Sequence, residues 1–130
     1  MVQAMKKNFM KKVVKKLNVS EKISSNRRNG GIKKEYLKSR PGCKVTFRLP
    51  KDAAPQAQKV NIAGDFNNWD KDHTTMKQLK NGDFTITLEL EKGREYRFRY
   101  LIDNRRWEND WFADKYVPNL FGGDDSVVVV

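Results

Sequence analysis

Residues 81–104 read Asn81-Gly82-Asp83-Phe84-Thr85-Ile86-Thr87-Leu88-Glu89-Leu90-Glu91-Lys92-Gly93-Arg94-Glu95-Tyr96-Arg97-Phe98-Arg99-Tyr100-Leu101-Ile102-Asp103-Asn104. Phe84, Ile86, Leu88 and Leu90 alternate with Thr85, Thr87 and Glu89. Beyond Gly93 the alternation resumes, which predicts Tyr96, Phe98, Tyr100 and Ile102 facing inward and Arg97, Arg99 and Leu101 facing outward. A period of two belongs to a strand with one buried face; a helix would repeat every three to four residues. Asn81-Gly82, Gly93 and Asp103-Asn104 supply turns around these runs. Working outward, Val45, Phe47 and Leu49 alternate with Lys44, Thr46 and Arg48 until Pro50 ends the run. Val60 and Ile62 form a short strand closed by Gly64, and residues 126–130 form a final β-branched one. Short strands separated by turns, with no helical pattern beyond residue 42, predict an all-β sandwich over residues 41–130. The last strand would invite pairing with another chain if it lay at a sheet edge.

The 130 residues suffice for one domain of ordinary size. Apolar residues make up 38% and charged residues 33%, so a compact core is expected beside a segment that does not join it. No run approaches the roughly 18 apolar residues of a membrane span. Residues 1–17 are lysine-rich and lack the apolar block of a secretory signal. One cysteine, Cys43, permits no internal disulfide and fits a reducing, cytoplasmic setting. With His73 as the one histidine, zinc sites built only from His and Cys are excluded, and no cofactor is expected. Cys43 reads as a buried strand residue and His73 as a solvated loop residue.

The net charge of +11 is confined to one end. Residues 1–40 hold thirteen Lys/Arg against Glu21 and Glu35, whereas residues 41–130 balance fourteen of each sign. Within this basic extension, Met5, Phe9, Val13 and Leu17 recur every fourth residue among lysine pairs. That predicts an amphipathic helix over about residues 3–17, followed by a polar linker over residues 18–40. A helix of this kind suits an anionic membrane surface, an acidic partner or nucleic acid, or is simply a solvated extension.

The segment Val60-Asn61-Ile62-Ala63-Gly64-Asp65-Phe66-Asn67-Asn68-Trp69 runs a buried strand into a glycine and a tight Asp/Asn turn. Phe66 is placed to anchor the turn in the core, with Trp69 near its exit. Together with residues 96–103, Trp107 and Gly122-Gly123-Asp124-Asp125-Ser126-Val127, this resembles the early-set, immunoglobulin-like domain at the N-terminus of isoamylases and branching enzymes. The glycogen-binding domain of the AMP-activated protein kinase beta subunit is of the same type, the family 48 carbohydrate-binding modules. The resemblance implies an α-1,4-linked glucan, glycogen or maltooligosaccharide, stacked on a two-tryptophan platform at one end of the sandwich. Residue by residue, the tryptophans fall on Trp69 and Trp107, the family's lysine on Arg99, and its asparagine on Asp125 or else Asp124. An apolar residue that tucks into the sugar ring falls on Leu120 or Phe121. The sequence departs from the pattern in the Arg and Asp replacements and in a turn before Trp107 that is one residue longer.

The chemistry agrees with the resemblance. An indole covers the C–H face of a glucose ring while polar groups orient its hydroxyl rim. Arg99 is a forked donor that spans adjacent hydroxyls, and Asp125 accepts but does not donate. Each residue has a plainer reading too. The tryptophans can cap the sandwich, Arg99 can pair across strands with Glu89 or Glu91, Asp124 and Asp125 can shape a turn, and Trp111 reads as packing or a lid. Catalysis is not expected: no nucleophile elbow accompanies His73, no Gly-rich phosphate loop is present, and the acids are expected mostly in turns or on outward strand faces. Two readings remain, a non-catalytic α-glucan-binding module and a protein-interaction scaffold of the same fold whose basic tail meets an anionic partner.

Overall fold

The computed structural model describes residues 31–130, and the expected helix over residues 3–17 lies outside the described residues. Among the described residues, nine strands form two antiparallel sheets. They are β1 (Lys33–Tyr36), β2 (Gly42–Leu49), β3 (Val60–Gly64), β4 (Lys77–Gln78), β5 (Phe84–Glu91), β6 (Glu95–Ile102), β7 (Arg106–Glu108), β8 (Lys115–Pro118) and β9 (Asp124–Val129). The first sheet runs β1-β2-β5-β4 and the second β3-β6-β9-β8, with β7 pairing β6 beyond the end of β9. This is the all-β sandwich the alternation predicts.

The inward residues of both sheets meet as expected. Val45, Phe47 and Leu49 of β2 pack with Val60 and Ile62 of β3, Phe84 of β5, and Tyr96, Phe98 and Tyr100 of β6. Phe47 and Phe98 meet edge to face with ring centres 4.9 Å apart, and Phe66 joins them at 5.6 Å from Phe47. These aromatic contacts add to the burial that holds the sheets together. Cys43 is fully buried in β2 and forms no disulfide among the described residues.

The structure corrects the sequence reading at several points. Residues 33–36, expected in a linker, instead form β1 and pair with β2 in register Lys33↔Thr46. Gly93 turns the chain from one sheet into the other, so β5 and β6 never pair. Arg99 therefore has neither Glu89 nor Glu91 across from it; Glu89 takes a forked bond from Arg40 at 2.7 Å, and Glu91 accepts from Arg94. Leu101, expected to face outward, stays out of the core cluster that holds its neighbours Tyr100 and Ile102, yet it is buried. It lies between Asn61 of β3 and Trp107 of β7 in the pairing register, with a strand on each side. The final strand is an interior one between β6 and β8, which removes it as a pairing edge. Among the described residues three acids are buried, Asp83, Asp110 and Asp125, the first two of them in loops.

Candidate functional site

The outer face of the second sheet carries the site. Because Tyr96, Phe98 and Tyr100 of β6 point into the core, Arg97 and Arg99 between them point the other way. They form the floor of a groove of about 740 Å³. The groove is therefore on a sheet face and not at the sandwich end.

Trp69 arrives from the turn after β3. Gly64 has extended backbone, but a Cβ there would sit 2.3 Å from the Arg97 carbonyl oxygen and 2.7 Å from Phe98 Cβ, so only glycine lets β3 lie this close to β6. Asn67 then clasps the turn, its Oδ1 accepting from the Gly64 N–H at 2.9 Å while its Nδ2 donates to the Ile62 carbonyl and Thr74 Oγ1. Asn68 and Trp69 follow with φ of 57° each, in the left-handed region, and the Trp69 N–H closes on the Gly64 carbonyl at 2.8 Å. The indole Nε1–H donates to Asp65 Oδ1 at 3.0 Å.

Trp107 arrives by another route, on β7 opposite Leu101. Asp103 and Asn104 turn the chain there with positive φ at both positions, a backbone twist that suits a hairpin. Asp103 Oδ1 accepts from the N–H groups of Gln58 and Lys59, each at 2.9 Å, which ties the hairpin to the approach of β3. These two donors hold the Asp103 carboxyl below the usual carboxylate range. The two indoles are 37% and 38% exposed, so neither is core, and both line the one groove.

The third wall is the loop between β8 and β9. Asn119 Oδ1 accepts from the N–H groups of Phe121 and Gly123, and the Asn119 N–H donates to the Gly123 carbonyl. This compact turn projects Leu120 and Phe121 almost wholly into solvent, at 97% and 94% exposed. Asn119 Nδ2 also donates to Asp125 Oδ1 at 3.1 Å, and Asp125 Oδ2 lies 3.9 Å from Arg97 Nη1. Asp124 is outside the groove, its carbonyl accepting from Asn109. Arg99 is half-buried, and its buried Nε–H has no hydrogen-bond partner among the described residues.

All six residues expected from the sequence, Trp69, Trp107, Arg99, Asp125, Leu120 and Phe121, line this groove, together with Asp65, Arg97 and Asn119. Arg97 shares the outward alternation of Arg99 and was legible on that ground. Asp65 and Asn119 act through bonds that only the closed turns create. Trp111 stands apart, half-exposed with its Nε1–H directed at Glu108, and His73 is solvated beside Asp70. Among the described residues no three His, Cys, Asp or Glu side chains converge to hold a metal ion.

Two partly exposed indoles and two arginines on the outer face of a small sandwich give one groove both apolar and hydrogen-bond-donating walls, the makeup of a binding site. The chain belongs to the family of carbohydrate-binding module 48 (isoamylase N-terminal domain), whose pattern matches residues 41–117. That span holds Trp69, Arg99 and Trp107 but not Leu120, Phe121 or Asp125. Similar curated proteins include a 1,4-alpha-glucan-branching enzyme of Saccharomyces cerevisiae, 52% identical over an alignment of 42 residues that covers 29% of this chain and 6% of the enzyme. The 1,4-alpha-glucan branching enzyme GlgB of Shewanella sp. (strain MR-4) is 38% identical over 53 residues, 39% of this chain and 7% of that enzyme. The matches thus span only a small fraction of either enzyme's length.

Proposed function

We propose that this chain is a non-catalytic module that binds α-1,4-linked glucan, laying glucose rings on Trp69 and Trp107 while Arg99 directs its donors to their hydroxyls. One observation carries the reading: two indoles from separate turns, each more than a third exposed, share a groove with the outward-facing Arg97 and Arg99. Family membership and the likeness to 1,4-alpha-glucan branching enzymes support an α-linked chain as ligand. The curved α-glucan presents successive C–H faces to two separated indoles in a way a flat β-linked chain does not. Leu120 and Phe121 border the ligand, and Asp125 accepts from its rim. Residues 1–40, which carry the net charge, make a separate salt-sensitive contact with an anionic partner.

Titration calorimetry tests this. Maltoheptaose binds with a Kd on the order of micromolar to millimolar, cellohexaose gives no heat, and Trp107→Ala weakens binding by about 2 kcal/mol, as for a central aromatic anchor. Absence of heat with maltoheptaose, or equal binding of the two sugars, contradicts the proposal.

A further inference from the structure

Asp65 is a groove residue whose two carboxylate oxygens each already accept a bond from the protein. Its Oδ1 accepts from the Trp69 indole Nε1–H at 3.0 Å, and its Oδ2 accepts from the Arg97 backbone N–H at 2.8 Å. One carboxylate therefore joins the edge of the first indole to the strand that supplies the arginine floor. The bond also consumes the one polar group of the indole, leaving Trp69 only its apolar faces.

The backbone beneath gives this bond a purpose. Left-handed φ is unusual for a bulky side chain, and here two such residues, Asn68 and Trp69, follow one another. Backbone held in a sparsely populated region persists only when its surroundings over-determine it. Asn67 and the Trp69 N–H fix the main chain of the turn. The side chain, 37% exposed, has Asp65 as its hydrogen-bond tether. A ring left to sample rotamers would have to be ordered by each arriving ligand, and that ordering would weaken binding.

Resting on the glucan-binding reading, we infer that Asp65 is a positioning residue that pre-orients the Trp69 indole for stacking by clamping its Nε1–H to the Arg97 backbone. It contributes to affinity without touching the sugar. Asp65→Ala removes both acceptors; Asp65→Asn keeps one carbonyl oxygen and so holds either the indole or the backbone N–H, not both.

The test uses the full chain labelled with ¹⁵N at its three tryptophans. In Asp65→Ala the Trp69 indole N–H exchanges faster with solvent and its relaxation reports wider motion, while the Trp107 and Trp111 indoles are unchanged. Maltoheptaose affinity falls about tenfold in that variant, and Asp65→Asn lies between it and the parent. An unchanged Trp69 indole, or a loosened indole with unchanged affinity, overturns the inference. If Asp65→Ala does not fold, the same two readouts on Asp65→Asn decide it. Should the parent chain bind no maltoheptaose, the glucan reading fails, whereas the clamp still stands or falls on the indole exchange.

Discussion

Single residues decide whether the groove exists. Trp69 and Trp107 were legible through the family resemblance, which places two stacking tryptophans on them; strand alternation alone left them as possible caps of the sandwich. Asp65 and Asn119 were not legible, since their partners are set by turns that bend the chain back on itself. Arg99 was legible as a donor, but its freedom from Glu89 and Glu91 depends on which sheet β5 joins. Gly64 makes the sharpest prediction at this scale. Gly64→Ala forces a Cβ into the Arg97 carbonyl, a backbone atom that has no rotamer to move away. Thermal unfolding should show a loss of about 3 kcal/mol, in the range of severe overpacking, together with loss of glucan binding because Trp69 hangs from the same turn. A variant as stable as the parent would mean that β3 does not approach β6 so closely.

At the scale of elements, the long strands declare themselves and the short ones do not. β2, β5 and β6 have eight residues each and alternate clearly, whereas β4 has two, β7 three and β8 four, too few for a period to register. The turn at Gly93 reads the same in sequence whether it joins neighbours in one sheet or crosses between two. The turn before β5 shows what a buried carboxylate does for an element. Asp83 accepts from Arg48 Nη2 at 2.8 Å, from the Lys51 N–H at 2.9 Å and from Asn81 Nδ2. Burial pushes its pKa up, but these donors outweigh burial, and the net shift is downward. A lowered folded pKa means stability that is present above the ordinary carboxylate range of about 4 and is lost as pH falls through the folded value. Denaturant melts should therefore show stability declining on the acid side, and Asp83→Asn should lose part of that acid dependence while costing about 2 kcal/mol at neutral pH. An acid limb identical in the two proteins would remove Asp83 from the account.

Across the whole molecule, charge and fold are segregated. The sandwich residues are close to neutral, so the basic character of the chain belongs to its first 40 residues and not to the groove. Deleting residues 1–30, which precede β1 and every described groove residue, should abolish salt-sensitive binding to anionic polymers or vesicles and leave maltoheptaose affinity unchanged. Salt-sensitive binding that survives the deletion would place the anionic contact on the sandwich instead. The family's match over residues 41–117 agrees with the strand pattern read from the sequence, while β1 and β9 extend the sandwich on either side of it.

The most direct test of the glucan site follows the three indole N–H resonances of the ¹⁵N-labelled chain during titration with maltoheptaose. Trp69 and Trp107 should shift together and saturate with one Kd, while Trp111, outside the groove, stays in place. A titration that moves only Trp111, or none of the three, would contradict the account.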